Sequence, residues 1–524
     1  LKANWIAPAP LYAVPRLTFY GAAQQVSGSC HLLETSAGLF LVDCGRFVGS
    51  EGSESDNSDF PFDPKEVKAV LLTHAHTDHH GRLPLLCKRG FRGSIYCTDA
   101  TRDLVTLSSR SAPGSRSAPG SRSAPGSRSA PGNTGGASRN GDIPSNGGNP
   151  SNTDEDAAYD TRDVQASLDL LQAVPYNQKI SRDGLTLRFT DAGHILGSAM
   201  IEVWIDGRKI LFSGDMGPDD SPILHAPAIH YTADCVLVES TYGPSRRELV
   251  DYQMLGMRIA EVLKRGGDVL IPTFAIHKSQ ALIHVLQDLI QRAVLPRETP
   301  IYCDSATVHS ANRIYDAYSE YHDSQARQFA DRHGSLFYLG RYREGRTDDF
   351  LKAHAGTPSI FVATSGMLAY AASPRHLEAM AGDSRSAVFL PGYQAPGSIG
   401  RQLLDGQRSI EINLEEFESG RRSERKAQID VRLEVDRISG FSSHAHGQQI
   451  LEWLSQFERV GSVFVVHGTP ENAVAMAEKM SEMGLQSTAP EPQESFTIKG
   501  DRVRPGKVPQ LQRANFGAPA AVDR

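Results

Sequence analysis

The stretch Leu71-Leu72-Thr73-His74-Ala75-His76-Thr77-Asp78-His79 places three histidines and an aspartate within six positions, directly behind an apolar run from Val67 to Leu72. Imidazole and carboxylate are the ligand set that suits zinc. At a strand end alternate side chains share a face, so His74 and His76 can reach one ion. Asp78 and His79, on the turn that follows, can face a second. Crowded imidazoles repel once protonated, so packing alone explains such a cluster poorly. The competing reading is a polar loop of hydrogen-bonded histidines. A hydrolytic metal site needs more ligands than one loop supplies, which directs attention to histidines and aspartates behind other apolar runs. His194 ends Thr190-Asp191-Ala192-Gly193-His194, Asp215 ends Leu211-Phe212-Ser213-Gly214-Asp215, and His467 follows Val463-Phe464-Val465-Val466. Each alone reads as a turn or capping residue. With the histidine loop they repeat one pattern of strand, polar ligand and glycine.

The elements that must position these residues are legible as patterns. Short strand-like runs at Leu17-Thr18-Phe19-Tyr20, Cys30 to Glu34 and Leu39 to Asp43 predict an antiparallel β start. A helix is expected over Val164 to Leu171, with strands at Leu185 to Phe189, Met200 to Trp204 and Lys209 to Phe212. From about residue 248 helical periodicities alternate with apolar runs (Val269-Leu270-Ile271, Ile360-Phe361-Val362, Ala387 to Leu390), the signature of a mostly parallel sheet flanked by helices. Between Ser109 and Gly132 the hexapeptide Ser-Arg-Ser-Ala-Pro-Gly occurs four times, and a Gly/Asn/Ser-rich stretch follows. Nothing there can bury a core, so a disordered insertion is expected over about 109–155.

At 524 residues the chain exceeds what one core usually supports, and two large lobes are expected. The net charge of −7 carries no global basic field, so a polyanion must be held by local patches or by metal. Arg341, Arg343 and Arg346, and Arg421, Arg422, Arg425 and Lys426, are the basic clusters that could line a groove. Six scattered cysteines without a CxxC pair fit buried free thiols in a reducing cytoplasm. No apolar stretch approaches a membrane span. The start shows no signal-peptide pattern, and lacking methionine it suggests a natural N-terminus further upstream.

His74-Ala75-His76-Thr77-Asp78-His79 resembles the HxHxDH signature of the metallo-β-lactamase fold. His194 and Asp215 match that family's next ligand motifs, and Asp43 in Leu41-Val42-Asp43-Cys44-Gly45 matches its first acid. The resemblance extends to the β-CASP nucleases, in which a second domain interrupts the first. Glu239-Ser240-Thr241-Tyr242-Gly243, Gly440-Phe441-Ser442-Ser443-His444 and His467-Gly468 resemble that branch's motifs A, B and C. Ser365-Gly366-Met367 and Gly392-Tyr393-Gln394-Ala395-Pro396-Gly397 look like stretches of its prokaryotic RNA-cleaving members. The match covers roughly residues 16–100 and 160–495.

The resemblance implies an α/β protein: an αββα metallo-β-lactamase sandwich interrupted by a β-CASP domain. The expected divisions are a leader at 1–15, the first part of the sandwich at 16–245, the insert at 246–428, the second part at 429–498, and a tail at 499–524. It implies two zinc ions, one held by His74, His76 and His194, the other by Asp78, His79 and His467, with Asp215 bridging. Asp43 would orient the ligand loop. Catalysis would rest on Asp78, on His444 as general acid, and on Glu239 aiming it. Ser365, Gly366, Met367 and Ser398 are candidates for substrate phosphate. His80 has no family role and reads as an exposed or capping histidine. RNA-cleaving members resemble this chain in having histidine at motif C, where DNA-repair members usually have valine. The expectation is a cytoplasmic, zinc-dependent, most often endonucleolytic ribonuclease of RNA processing or decay, with RNA as partner, no membrane association, and a homodimer compatible with its relatives. The alternatives are a hydrolase of a small thioester or lactam on the same fold, or a non-catalytic RNA-binding scaffold. There are departures. His277-Lys278 stands where relatives usually have Gly-Arg, Asp304-Ser305-Ala306-Thr307 replaces a more usual Asp-Ser-Pro-Met, and Thr469 replaces a glutamate.

Overall fold

Alternation along Leu185–Asp191 sends Leu185, Leu187 and Phe189 inward while the residues between them stay half-exposed, the period of a strand with one buried face. Such strands build two seven-stranded sheets in the computed structural model, which describes residues 14–48, 57–111, 158–246, 248–346, 349–350, 356–418, 421–500 and 504–506. The expected leader up to residue 13, the repeat insertion over 112–157 and most of the tail lie outside these residues. Ser109 to Ser111, expected to open that insertion, instead close the helix Asp99–Ser111.

The first sheet runs in the order Ser495–Thr497, Arg16–Phe19, His31–Thr35, Gly38–Val42, Val67–Leu71, Ser94–Cys97, Leu171–Ala173. The second runs Gln486–Thr488, Arg459–Val466, Thr232–Glu239, Arg208–Phe212, Ala199–Ile205, Leu185–Asp191, Ile180–Arg182. Between them lies a core that includes Phe19, Phe40, Leu71, Phe189, Phe212, Leu237 and Phe464. Thr232–Glu239 is buried on both faces. Cys235 and Leu237 face the opposite sheet, whereas Val236 and Val238 join a separate core with residues of the helices Gly447–Ser455 and Pro470–Glu482. Each such side chain taken fully from water contributes about 1.5–3 kcal/mol. The layering is αββα. The helix expected over Val164 to Leu171 forms earlier, at Thr161–Asp169, because Asp160 and Asp163 close a capping box at its start. Leu171 pairs with Ile95 as a strand instead.

The interruption is a six-stranded sheet, every neighbouring pair parallel, in the order Tyr342–Glu344, Ile301–Asp304, Ile360–Ala363, Val269–Pro272, Ala387–Pro391, Glu434–Ile438. Val269 and Ile271 face the core that takes in the helix Lys278–Gln291, while Leu270 faces a second core shared with Leu377 and Leu403. Its last strand extends the insert's sheet several residues beyond 428. Contacts tie this lobe to the sandwich. Tyr318 donates to Asp103 at 2.7 Å, Tyr321 donates to Asp99, and the Leu196 amide donates to the Tyr315 hydroxyl at 3.2 Å.

Candidate metal centre

Parallel pairing aims Gly38–Val42 and Val67–Leu71 the same way, and likewise Arg208–Phe212, Thr232–Glu239 and Arg459–Val466. Leu185–Asp191 shares the direction of Arg208–Phe212, since both run antiparallel to Ala199–Ile205. The C-terminal ends of these strands carry Asp43, the histidine loop, His194, Asp215, Glu239 and His467. The histidine loop leaves its strand at Leu71, so His74 and His76 lie on a bend rather than on the strand end. Asp78 and His79 lie on the one-turn helix Thr77–His80 rather than a plain turn. Backbone bonds fasten that turn, with Ser29 N–H donating to Asp78 O and Cys44 N–H to His79 O, both at 2.8 Å. A side chain at Gly45 would place its Cβ 1.5 Å from Asp78 O, so only glycine admits this approach. Asp43 (φ 61°) and His467 (φ 52°) adopt left-handed backbone conformations uncommon for side-chain-bearing residues. Such strain persists where the surroundings over-determine it.

Three groups of potential ligands converge: His74, His76, His194 and Asp215; Asp78, His79 and His467; and Asp215, Glu239 and His444. Within each group the ligand atoms lie within 4.8 Å of one another. His76 Nδ1 is 3.1 Å from His74 Nε2 and 3.0 Å from His194 Nε2. Asp215 spans the first two groups. Its Oδ2 lies 3.5 Å from His74 Nε2 and 3.6 Å from His194 Nε2, and its Oδ1 lies 3.4 Å from His79 Nε2 and 3.5 Å from His467 Nε2. Asp78 Oδ2 lies 3.4 Å from His467 Nε2.

The outer nitrogens decide what the inner ones can do. His194 Nδ1–H donates to the Ser443 carbonyl at 2.8 Å and His79 Nδ1–H to Asp43 Oδ2 at 2.7 Å. His74 Nδ1–H donates to Thr73 Oγ1 at 3.1 Å, because the Thr73 hydroxyl proton goes to Asp43. His467 Nδ1–H donates to Thr241 Oγ1 at 3.1 Å, because that hydroxyl donates to Glu239 Oε2 at 2.6 Å. In a neutral ring the proton on Nδ1 leaves Nε2 as a bare lone pair. With all four rings neutral, four such lone pairs and two carboxylates would face one another in a buried space, and His79 Nε2 and Asp215 Oδ1 lack a hydrogen-bond partner among the described residues. That donor set fits divalent cations and leaves an obvious electrostatic deficit without them.

Burial holds His74 and His194 well below the ordinary imidazole range, helped by neighbouring imidazoles, and draws His76 down to about 4. These three are neutral, as ligands must be. Burial also acts on His467, but the Asp215 carboxylate and the Asp78 hydrogen bond outweigh it and lift the ring to about 9. His79 is raised for the same kind of reason, by Asp215 and Asp43. A proton on either ring stands where a cation's charge would otherwise balance the carboxylates.

Glu239 is fully buried and lies beside the ligands. It accepts from Met216 N–H at 2.7 Å and from His444 Nδ1 at 3.1 and 3.2 Å, besides the Thr241 hydroxyl. Ser365, Gly366, Met367 and Ser398 gather elsewhere, in the insert. The Ser365 hydroxyl accepts from the amides of Ala369 and Tyr370, Gly366 O accepts from Gln394 Nε2, Met367 O from the Gly400 amide, and Ser398 caps the helix Ile399–Leu404. His80 is neither exposed nor a cap. It is 4% exposed, with Nε2 2.9 Å from Ser108 Oγ of the helix Asp99–Ser111. Of the basic clusters, Arg425 pairs with Glu378 and Lys426 with Glu411. Thr73, Thr241 and Ser443 are the residues that the sequence reading passed over. All three lie inside or beside the quoted motifs, but a hydroxyl or a carbonyl carries no signal of its own.

Residues 23–263 match the metallo-beta-lactamase superfamily, 279–403 the Beta-Casp domain and 428–490 the Zn-dependent metallo-hydrolase RNA specificity domain. Ribonuclease TTHA0252 of Thermus thermophilus is 31% identical over 478 residues, covering 90% of this chain and 97% of that protein. Transcription termination factor FttA of Methanocaldococcus jannaschii is 27% identical over 489 residues, 90% of this chain and 70% of that one. An RNase J-like protein of the same organism is 27% identical over 470 residues, 88% and 94% of the two chains. Among solved structures, a protein of unknown function from Enterococcus faecalis V583 shares the fold at a TM-score of 0.50 and 12% identity, over 93% of this chain and 100% of that one.

Proposed function

This chain belongs to the β-CASP branch of the metallo-β-lactamase superfamily and is a metal-dependent RNA hydrolase, and from that premise we propose a two-zinc ribonuclease that cleaves RNA phosphodiester bonds, chiefly at internal positions. The observation that carries the two-ion reading is the bridging position of Asp215, whose two oxygens each face a separate set of bare imidazole nitrogens. His74, His76 and His194 would hold one ion, Asp78, His79 and His467 the other, with Asp215 shared and Asp43 orienting His79 and the Thr73 turn. When bound, the ions supply Lewis-acid charge that activates a water and offsets the negative charge gathering on phosphorus.

The chain's own residues supply the rest. Asp78, whose side chain is far more open to solvent than those of His79 and His467, would border the side from which substrate enters. His444 turns Nδ1 to Glu239, which leaves Nε2 to hold a proton for the departing ribose oxygen. The buried carboxylate of Glu239 fixes the ring's direction. Histidine at position 467 favours RNA over DNA as the substrate. The proposal places the protein in RNA processing or decay in the cytoplasm, where six buried free thiols would stay reduced. A homodimer remains an expectation of the family. No helix among the described residues is long and apolar enough to cross a membrane.

Metal analysis of the purified chain is expected to return about two zinc per chain. Single-stranded RNA should be cleaved by wild type, with Asp78→Ala and His444→Ala each reduced at least ~100-fold. Equal trace activity in all three proteins overturns the catalytic reading, and cleavage of DNA but not RNA overturns the assignment of substrate.

A further inference from the structure

Two large aromatic side chains stand exposed at the same end of the insert's sheet. Phe274 is 37% exposed and Tyr393 58% exposed. Each lies two residues beyond one of two neighbouring parallel strands, Val269–Pro272 and Ala387–Pro391, paired in the register Val269↔Ala387 and Leu270↔Val388. Ligand crevices in open parallel sheets form at this C-terminal end. Single exposed aromatics are ordinary and need no function. Here, however, a cation lies close to both loops. Lys278 Nζ is 5.4 Å from the Phe274 ring centroid, and a Cβ added to Gly392, next to Tyr393, would meet the same Nζ at 2.5 Å. Lys278 forms no ion pair with any of the described residues, and burial draws its ammonium down to about 8.

The loop holding Phe274 is firmly placed. Its carbonyl accepts from the Ser279 hydroxyl at 2.7 Å, and Ser279 Oγ is 2.6 Å from Thr273 Oγ1. Lys278 also lines a cleft with Ser442 and Ser443, and the Ser443 carbonyl is the one that receives His194 Nδ1–H. The shelf therefore adjoins the wall of the metal centre. Two exposed rings on loops that flank one unpaired ammonium match a strand in which bases alternate with phosphates, and stacking of this kind is tolerant of sequence.

We propose that Phe274 and Tyr393 form a stacking shelf for unpaired RNA bases at the cleft entrance, with Lys278 taking the phosphate between them. The proposal rests on the RNA-cleaving reading above and adds a subsite built from residues other than the metal ligands.

The test uses the zinc-loaded enzyme with a fluorescent single-stranded RNA whose phosphorothioate linkages resist hydrolysis, and with bis(p-nitrophenyl) phosphate as a substrate lacking bases. Phe274→Ala and Tyr393→Ala should each weaken RNA binding about 10-fold while leaving hydrolysis of the small diester unchanged, and Phe274→Trp should bind like wild type. An abasic nucleotide placed along the RNA should weaken wild type at one position and add nothing further in Phe274→Ala. Wild-type affinity in both alanine variants, or abasic penalties that add in full, overturns the shelf. RNA that binds with these effects yet is never cleaved in its unmodified form overturns the ribonuclease reading and leaves the shelf standing.

Discussion

Glu239 uses both carboxylate oxygens on protein donors: Oε1 takes the Met216 amide, Oε2 takes the Thr241 hydroxyl, and both lie within 3.2 Å of His444 Nδ1. With the Thr241 amide also donating to Oε2 at 3.3 Å, four donors fill the carboxylate's four lone-pair sites and leave none for a metal, although Glu239 stands among potential ligands with Asp215 and His444. Its task is to aim His444. Replacing it by glutamine keeps the shape but turns one acceptor into a donor that opposes either the amide, the hydroxyl or the ring. Glu239→Gln should therefore lower kcat for RNA about 100-fold with the metal content unchanged, measured by single-turnover cleavage beside elemental analysis. A parallel fall in bound metal would make Glu239 a ligand instead.

At the scale of elements, the site is a set of loops behind strands, and one of those loops stores a carboxyl that folding keeps protonated. Asp191 ends the strand Leu185–Asp191 and accepts from the Gly193 amide at 2.8 Å, three residues before His194. Burial raises its pKa to about 7, against about 3.9 in an unfolded chain. The folded state thus binds a proton that the unfolded state releases between about pH 4 and pH 7. Stability is unaffected below that window, declines through it, and stays diminished above it. Asp191→Asn keeps the acceptor for Gly193 and removes the titration. At pH 8 the variant should be about 2 kcal/mol more stable than wild type, with the gap closing by pH 4, as read from urea unfolding at several pH values. A gap independent of pH would mean that Asp191 does not titrate in this window. The same loops show why part of the site could be read from sequence. Ligand side chains must stand just behind strands, so a period of two followed by His or Asp and a glycine is visible in one dimension. The residues that set tautomers are not. Thr241 and Thr73 act through hydroxyls 226 residues and one residue away from their histidine partners, and Ser443 acts through its backbone. His80 misled because its burial depends on Ser108, from a helix that the repeat insertion obscured. The parallel insert was legible because strand–helix succession is local, whereas the αββα layering came only with the family resemblance. The edge strand Glu434–Ile438 was not, since its pattern Glu-Val-Asp-Arg-Ile carries little apolar signal and its place is set by pairing with Ala387–Pro391.

For the whole molecule, the question is how two lobes keep a cleft in register over one metal centre. The core between the sheets stays within the sandwich, but a second core runs on from Leu104 and Leu196 of the sandwich to Leu282 and Tyr315 of the insert, where the helix Asp99–Ser111 meets the helix Ala306–Ala317 and the turn after it. Tyr318 and Tyr321 donate to Asp103 and Asp99 there, and Tyr176 of the sandwich lies against Tyr321 with ring centroids 4.9 Å apart. These hydroxyls touch no ligand of the metal centre, and a double change to phenylalanine retains the rings and their packing. Each lost bond to a carboxylate costs about 1.5–3 kcal/mol, less wherever water can replace it. The lobes should then sample a wider opening while the metal ligands, all of which belong to the sandwich, remain in place. Tyr318→Phe/Tyr321→Phe is thus expected to retain its metal and its rate on bis(p-nitrophenyl) phosphate but to lose about 10-fold in kcat/KM on RNA, the substrate long enough to need both walls. Equal losses on both substrates would show that the lobe contact shapes the metal centre itself, and no loss on either would show that other contacts hold the cleft closed.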